Sequence, residues 1–300
     1  MVKRVLVVYG VDVDAVSGWI NTCSGELAGP TDVSRGVFGA TVGIDRILKL
    51  FDKYGIKGTW FVPGHSVESF TSQLKKVRDT GHEIGLHGYS HEFVATMNEQ
   101  QQRDIMTKSI DVLTDFLGKR PRGWTAPAWN TSRQSIRVLE DFGIEYDHSF
   151  MHHDCQPYYV PNGEEEWQET NSKKEASTWM QPMTKIMPSK VVEIPANWHL
   201  DDWPPFVVSK AANSHGYVDP DVIEKLWKKQ FDYFYREYDT FVFPMTIHPQ
   251  VSGKPQVILM HENIIDHINS HEGVEWVTME YIVDEFKAGK IPGATVEGGA

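Results

Sequence analysis

The chain has 300 residues, 40% hydrophobic and 23% charged, with a formal net charge of −12 and a mean hydropathy of −0.39. That composition belongs to a globular protein and excludes a disordered or membrane-embedded chain. The acidic balance argues against nucleic acid or an anionic membrane as partner, since both reward basic patches. The run Glu164, Glu165, Glu166 reads as a solvated loop rather than a cation site.

Lys3 and Arg4 precede an apolar run at 5–9. It is shorter than the roughly 7–15 apolar residues of a secretory signal, and Gly10 with two aspartates ends it. We read it as a buried first strand. Cys23 and Cys155, the two cysteines, form neither a disulfide framework nor a CxxC zinc ribbon. A cytoplasmic location is the expectation.

After the first strand comes a Gly/Ser/Pro-rich loop. Ile44, Ile47, Leu48 and Phe51 then fall at i, i+3, i+4 and i+7, one face of a helix that Gly55 stops. The pattern continues with a strand at 58–62, a helix at 67–78, a strand at 83–86 and a long helix at 98–117. Gly118 and Pro121 end that helix. Next come an extended 123–125, a helix at 132–142 and an extended 145–149. The stretch 151–189 has no clean period and reads as an irregular insertion. Strand 191–194, a helix from Asp219 to about Tyr235, strand 241–247, a helix at 255–268 and a last helix at 280–286 complete the pattern. The Gly-rich tail after Lys290 reads as loose. Alternating β-α units imply a parallel sheet covered by helices, either a barrel or a doubly wound sheet. One domain over 1–300 is the expectation.

In such folds catalytic groups gather at the carboxyl ends of strands. Asp12 and Asp14 follow the first strand, His87 and His91 the third, Thr125 to Trp129 the fourth, and His248 the strand ending at Ile247. His87 and His91 have i, i+4 spacing, which can put two imidazoles on one face. Two imidazoles and one carboxylate leave coordination positions open, as in a catalytic zinc site. Asp12 and Asp14 point to the same side of an extended segment. A divalent cation on one relieves their repulsion and leaves the other free to take a proton from water. Trp124, Trp129, Trp198 and Trp203 could wall a pocket, stack on a sugar or pack as a lid. Asp201 and Asp202 could orient His248, and Glu92 could support its neighbouring ligand. His152, His153, His199, His215, His261, His267 and His271 are read as incidental.

Together, YGVDVDA (9–15), GHEIGLHGYSHE (81–92), GWTAPAW (123–129), EIPANWHLDD (193–202) and FPMTIHPQ (243–250) resemble the polysaccharide deacetylases with a NodB homology domain. The likeness is to their intracellular branch, which includes peptidoglycan deacetylases and allantoinase-like, cyclic-imide-hydrolysing relatives. The resemblance implies an α/β fold, a distorted (β/α) barrel of about seven strands, and Zn2+ or another divalent metal. It implies Asp14, His87 and His91 as ligands, Asp12 as general base and His248 as general acid. It also implies an oxyanion-binding N–H at Ala128, with Trp129, Trp198 and Asp202 near substrate or supporting the site. The substrate would be an N-acetylated sugar or a cyclic imide or ureide, and the assembly a homotetramer. Secreted members carry an Arg that tethers the catalytic aspartate, by position near Thr125; none is there, which favours a small soluble substrate. Two alternatives stand beside this: an iron oxygenase with a 2-His-1-carboxylate site, which the β-α alternation disfavours, and a non-catalytic binding protein, which the intact residue set disfavours.

Overall fold

The computed structural model describes residues 3–21, 28–162, 167–208 and 218–299. The Glu164–166 run, Cys23 and His215 lie outside the described residues. One sheet organises the chain. Its strands are β1 (Arg4–Asp12), β2 (Thr59–Val62), β3 (Glu83–Leu86), β4 (Gly123–Trp124), β5 (Tyr146–Asp147), β6 (Tyr158–Pro161), β7 (Pro188–Glu193), β8 (Thr240–Ile247) and β9 (Val274–Trp276). Their order is β6-β7-β5-β4-β3-β2-β1-β8, with β9 also paired to β1. All pairs are parallel except β6 with β7.

The strand count exceeds the expected seven because of two short strands. β6 lies inside the stretch expected to be irregular, and β9 covers the amino-terminal half of β1 where β2 does not reach. The sheet curls back on itself. Past β7, Asp201 pairs with Thr246 of β8, and Asp202 N donates to Thr246 O at 3.1 Å. The result is a distorted half-barrel rather than a doubly wound sheet.

Alternation along β1 explains its two faces. Val5, Val7 and Tyr9 pack against the outer helices, with Phe51, Trp60 and Phe243. Leu6 and Val8 point into the barrel, against Phe61, Tyr146 and Val192. The helix Met279–Lys287 closes the barrel floor with Met279, Ile282 and Val283. Each large side chain so buried contributes about 1.5–3 kcal/mol.

The helix Glu99–Leu117 starts at a reciprocal cap, with Asn98 Oδ1 accepting from Gln101 N at 2.9 Å and Gln101 Oε1 accepting from Asn98 N at 3.1 Å. It ends at Gly118, with φ 70°. The expected helix at 67–78 is two, Gly64–Ser69 and Thr71–Asp79, broken at Phe70. The expected loop before residue 44 instead holds the helix Pro30–Phe38 and a π-helical turn, Gly39–Gly43, continuous with the helix Ile44–Tyr54. The tail is not loose. Ile291 is buried, Ala294 N donates to Pro157 O, and Ile186 N donates to Gly298 O, so it docks along the insertion. Among the described residues, no helix is long and apolar enough to cross a membrane.

Candidate metal centre and active site

Register places the site. Val11 pairs with Ile247, Asp12 with Phe61, Val62 with Leu86, Leu86 with Trp124, Trp124 with Asp147 and Asp147 with Glu193. His87, Thr125, His148, Ile194 and His248 therefore form one row at the carboxyl rim, beside Asp12 and Asp14.

Asp14, His87 and His91 offer ligand atoms that all lie within 4.8 Å of one another, and all three residues are buried. His87 Nε2 is 3.3 Å from Asp14 Oδ1 and 3.8 Å from Asp12 Oδ2. His91 Nε2 is 3.6 Å from Asp14 Oδ1. His87 Nδ1 faces the Thr125 carbonyl at 2.9 Å. A carbonyl only accepts, so Nδ1 carries the proton and Nε2 presents its lone pair inward.

The donors fit a divalent cation. Among the described residues, buried Asp14 Oδ1 and His87 Nε2 find no hydrogen bond of good geometry, a costly state for polar atoms that a cation at their common focus would relieve. Gln250 Nε2 donates to the other oxygen, Asp14 Oδ2, at 3.1 Å. The Asn21 amide donates to the His91 carbonyl at 3.0 Å and lies 3.0 Å from its Nδ1. Glu92 ties down the ligand loop, accepting from Tyr89 N at 3.0 Å and Ser90 N at 2.7 Å.

Among the described residues, the four non-glycine residues with positive φ are Ala15 (50°), His91 (63°), Ala128 (52°) and Trp129 (48°). All four follow β1, β3 or β4 at the rim. Such conformations cost of order 1–3 kcal/mol each and persist where the surroundings enforce them, commonly at functional sites.

Asp12 and His248 flank the cluster. Burial pushes the Asp12 carboxyl up to about 6, with His87 and His248 pulling the other way. For Asp14, burial also acts upward, but the facing histidines outweigh it and hold the carboxyl below the usual range. His248 Nε2 is 3.9 Å from Asp12 Oδ2, and its Nδ1–H donates to Asp202 Oδ1 at 2.7 Å. Burial lowers His248, yet Asp202 and Asp201 overcome it and hold the imidazole well above its ordinary value.

Trp19 and Trp203 pair at 5.8 Å between centroids, with Trp203 4.9 Å from His248. Trp129 and Trp198 pair at 4.5 Å on another wall. Ala128 is exposed at the rim, and the turn's own bonds come from Trp129 N and Asn130 N. Trp124 instead belongs to the core.

The model for polysaccharide deacetylase matches residues 38–146. The peptidoglycan deacetylase of Helicobacter pylori is 50% identical over 95% of this chain and 97% of its own. The chain belongs to the polysaccharide deacetylase family. A peptidoglycan deacetylase-like protein of Gibberella zeae is 40% identical over 95% of this chain and 87% of its own. Among solved structures, a protein of Mycobacterium smegmatis assigned to polysaccharide deacetylases superposes with a TM-score of 0.81 at 26% identity, covering 98% of this chain and 93% of that one. The fold is also that of Puue allantoinase, with a TM-score of 0.77 at 23% identity, covering 95% and 91%.

Thr125 is bonded within the rim rather than to Asp12. Thr125 Oγ1 donates to the His148 carbonyl at 2.6 Å, and among the described residues Asp12 Oδ1 finds no hydrogen-bond partner. The following segment is braced from below. Ser149 Oγ accepts from Ala126 N at 2.8 Å and donates to Asp147 at 2.7 Å. Glu193 accepts from Ser149 N and Phe150 N at 2.8 and 2.9 Å. Burial raises Asp147 to about 7 and Glu193 well above the carboxylate range, the nearby Asp147 charge adding to the rise of Glu193.

Sequence reading missed two further supports. His261, set aside as incidental, is fully buried. Its Nδ1 meets Tyr9 OH at 3.2 Å and its Nε2 meets Ser252 Oγ at 2.8 Å. Ser252 donates in turn to Asp202 Oδ2. A chain of hydrogen bonds thus runs from Tyr9 to His248. The i, i+4 spacing of His248 and Ser252 across the helix Pro249–Ser252 was the available signal.

Proposed function

We propose that this chain hydrolyses the N-acetyl amide of an amino-sugar polymer, using a Zn2+-type cation held by Asp14, His87 and His91. The observation that carries the reading is the pair of buried, unpartnered atoms Asp14 Oδ1 and His87 Nε2, focused with His91 between Asp12 and His248. The 50% identity to a peptidoglycan deacetylase supports the substrate class.

A bound cation would polarise the acyl carbonyl and make water more acidic. Asp12 takes the proton from the attacking water, and its carboxyl, raised to about 6 by burial, is a stronger base than an ordinary aspartate. His248, protonated through Asp202, delivers a proton from Nε2 to the leaving nitrogen. The Ala128 N–H stabilises the developing oxyanion. The C–N bond breaks, water supplies the acid's hydroxyl, and acetate and a free amine leave. Trp129 and Trp198 offer faces on which a sugar stacks.

A second reading keeps the site and changes the substrate to a cyclic imide or ureide. It rests on Thr125 standing where secreted members carry Arg. The test is a zinc-supplemented panel of N-acetylglucosamine oligomers against succinimide, hydantoin and allantoin. Acetate release with intact rings supports the first reading, and ring opening without acetate supports the second.

The same proposal takes the chain as one domain that assembles as a homotetramer. Trp167, Met180, Met183 and Met187 of the insertion are exposed by 41–64%, enough apolar surface to favour cover by another copy. Light scattering giving a monomer mass would remove the oligomer.

A further inference from the structure

A second group of metal-ligating side chains lies far from the rim. Asp232 sits on the helix Pro220–Glu237, His267 in the last turn of the helix Pro255–Asn269, and His271 just beyond it. Their ligand atoms all fall within 4.8 Å of one another. They lie near the amino ends of β8 and β9, the opposite end of the barrel from His87.

We propose that Asp232, His267 and His271 form a second, peripheral site for a divalent transition ion of the imidazole-binding kind, clipping the two helices together. His267 and His271 have i, i+4 spacing, and their rings lie 5.0 Å apart. His271 Nδ1–H donates to the His267 carbonyl at 2.9 Å, so its Nε2 lone pair faces Asp232 Oδ1, 3.9 Å away. This is the tautomer a ligand needs, fixed from outside by a backbone acceptor. His267 Nε2–H donates to the same oxygen at 2.7 Å, a bond that an incoming ion replaces as it displaces that proton. The rings are held by packing: His271 is 4.7 Å from Tyr235 and 5.0 Å from Phe231. The half-buried imidazoles therefore need little ordering to bind. The carbonyl end of a helix adds a favourable field for a cation. Two imidazoles and one carboxylate select Zn2+, Cu2+ or Ni2+ over Mg2+ or Ca2+.

The test is a Zn2+ titration of the full, chelator-stripped chain by calorimetry, with ions counted by native mass spectrometry. His271→Ala and Asp232→Asn should each bind one ion fewer than the wild type, or bind it at least tenfold more weakly. Both should keep their acetate-release rate, which also reports that they fold. His271→Gln preserves a polar side chain against Tyr235 and should behave like the alanine variant. His87→Ala should retain the peripheral ion, whatever becomes of the rim. Equal stoichiometry and affinity in the wild type and all three peripheral variants would overturn the proposal, as would equal binding of Mg2+ at this site.

Discussion

His87 shows how one side chain is set up for the ligand role proposed for it. Its Nδ1 proton is committed to the Thr125 carbonyl, which leaves Nε2 buried and turned toward Asp14 Oδ1 at 3.3 Å, where a cation would sit. His87→Ala should lose the rim metal and hydrolysis together, checked by metal analysis and acetate assay; normal turnover at full metal content would remove the assignment. Asp202 plays the matching part for His248. Asp202→Asn removes the charge that raises the imidazole's pKa, so the alkaline limb of kcat/KM should move to lower pH. The rate should fall by about 10²-fold or more. An unmoved limb would mean that another group sets it. Ser252→Ala, which breaks the chain from His261 to Asp202, should shift the same limb less. The proposed catalytic residues stand out in the sequence because each is a titratable side chain at a strand end. Gln250, Asn21 and His261 were not, because their importance lies in what they touch across long sequence separations.

At the scale of elements, the rim depends on how closely backbones approach. A Cβ on Gly43, in the turn Gly39–Gly43, would lie 2.3 Å from the Pro249 carbonyl, one residue past His248. Gly43→Ala should push the Pro249–Ser252 turn outward, costing roughly 1–3 kcal/mol and lowering kcat through a misplaced His248. Denaturant melts and kinetics check both effects, and unchanged kcat with lower stability would show that the turn does not position the acid. The parallel strands and long helices were legible from periodicity and caps. The helix Pro30–Phe38 was not, because Pro30 opens it, Gly36 lies inside it and Gly39 follows, residues that read as a loop. β6 was not, because it lies inside the aperiodic stretch 151–189, and β9 was not, because it is three half-buried residues with a glutamate at its centre.

For the whole molecule, the barrel floor makes stability depend on pH. Glu83 is buried inside, accepting from Thr59 Oγ1, Tyr146 OH and Glu280 N. Burial raises its carboxyl from 4.5 to about 7. The folded state therefore holds a proton that the unfolded chain releases between these values, so stability falls as pH rises through that window. The loss is of order 3 kcal/mol. Glu83→Gln should flatten that part of the profile in urea melts at pH 4.5–7.5; an unchanged slope would place the proton elsewhere. The β-α alternation made a parallel sheet legible and the family resemblance implied its barrel; the alternation alone does not show the curl, since Asp201 meets Thr246 only once the chain is folded.

The most direct test of the central claim is acetate release from N-acetylglucosamine oligomers by the chelator-stripped chain, before and after Zn2+ is restored. The stripped protein should release no acetate, Zn2+ should restore release, and His87→Ala should show no recovery. Acetate release that survives complete metal removal, or that His87→Ala retains, would contradict it.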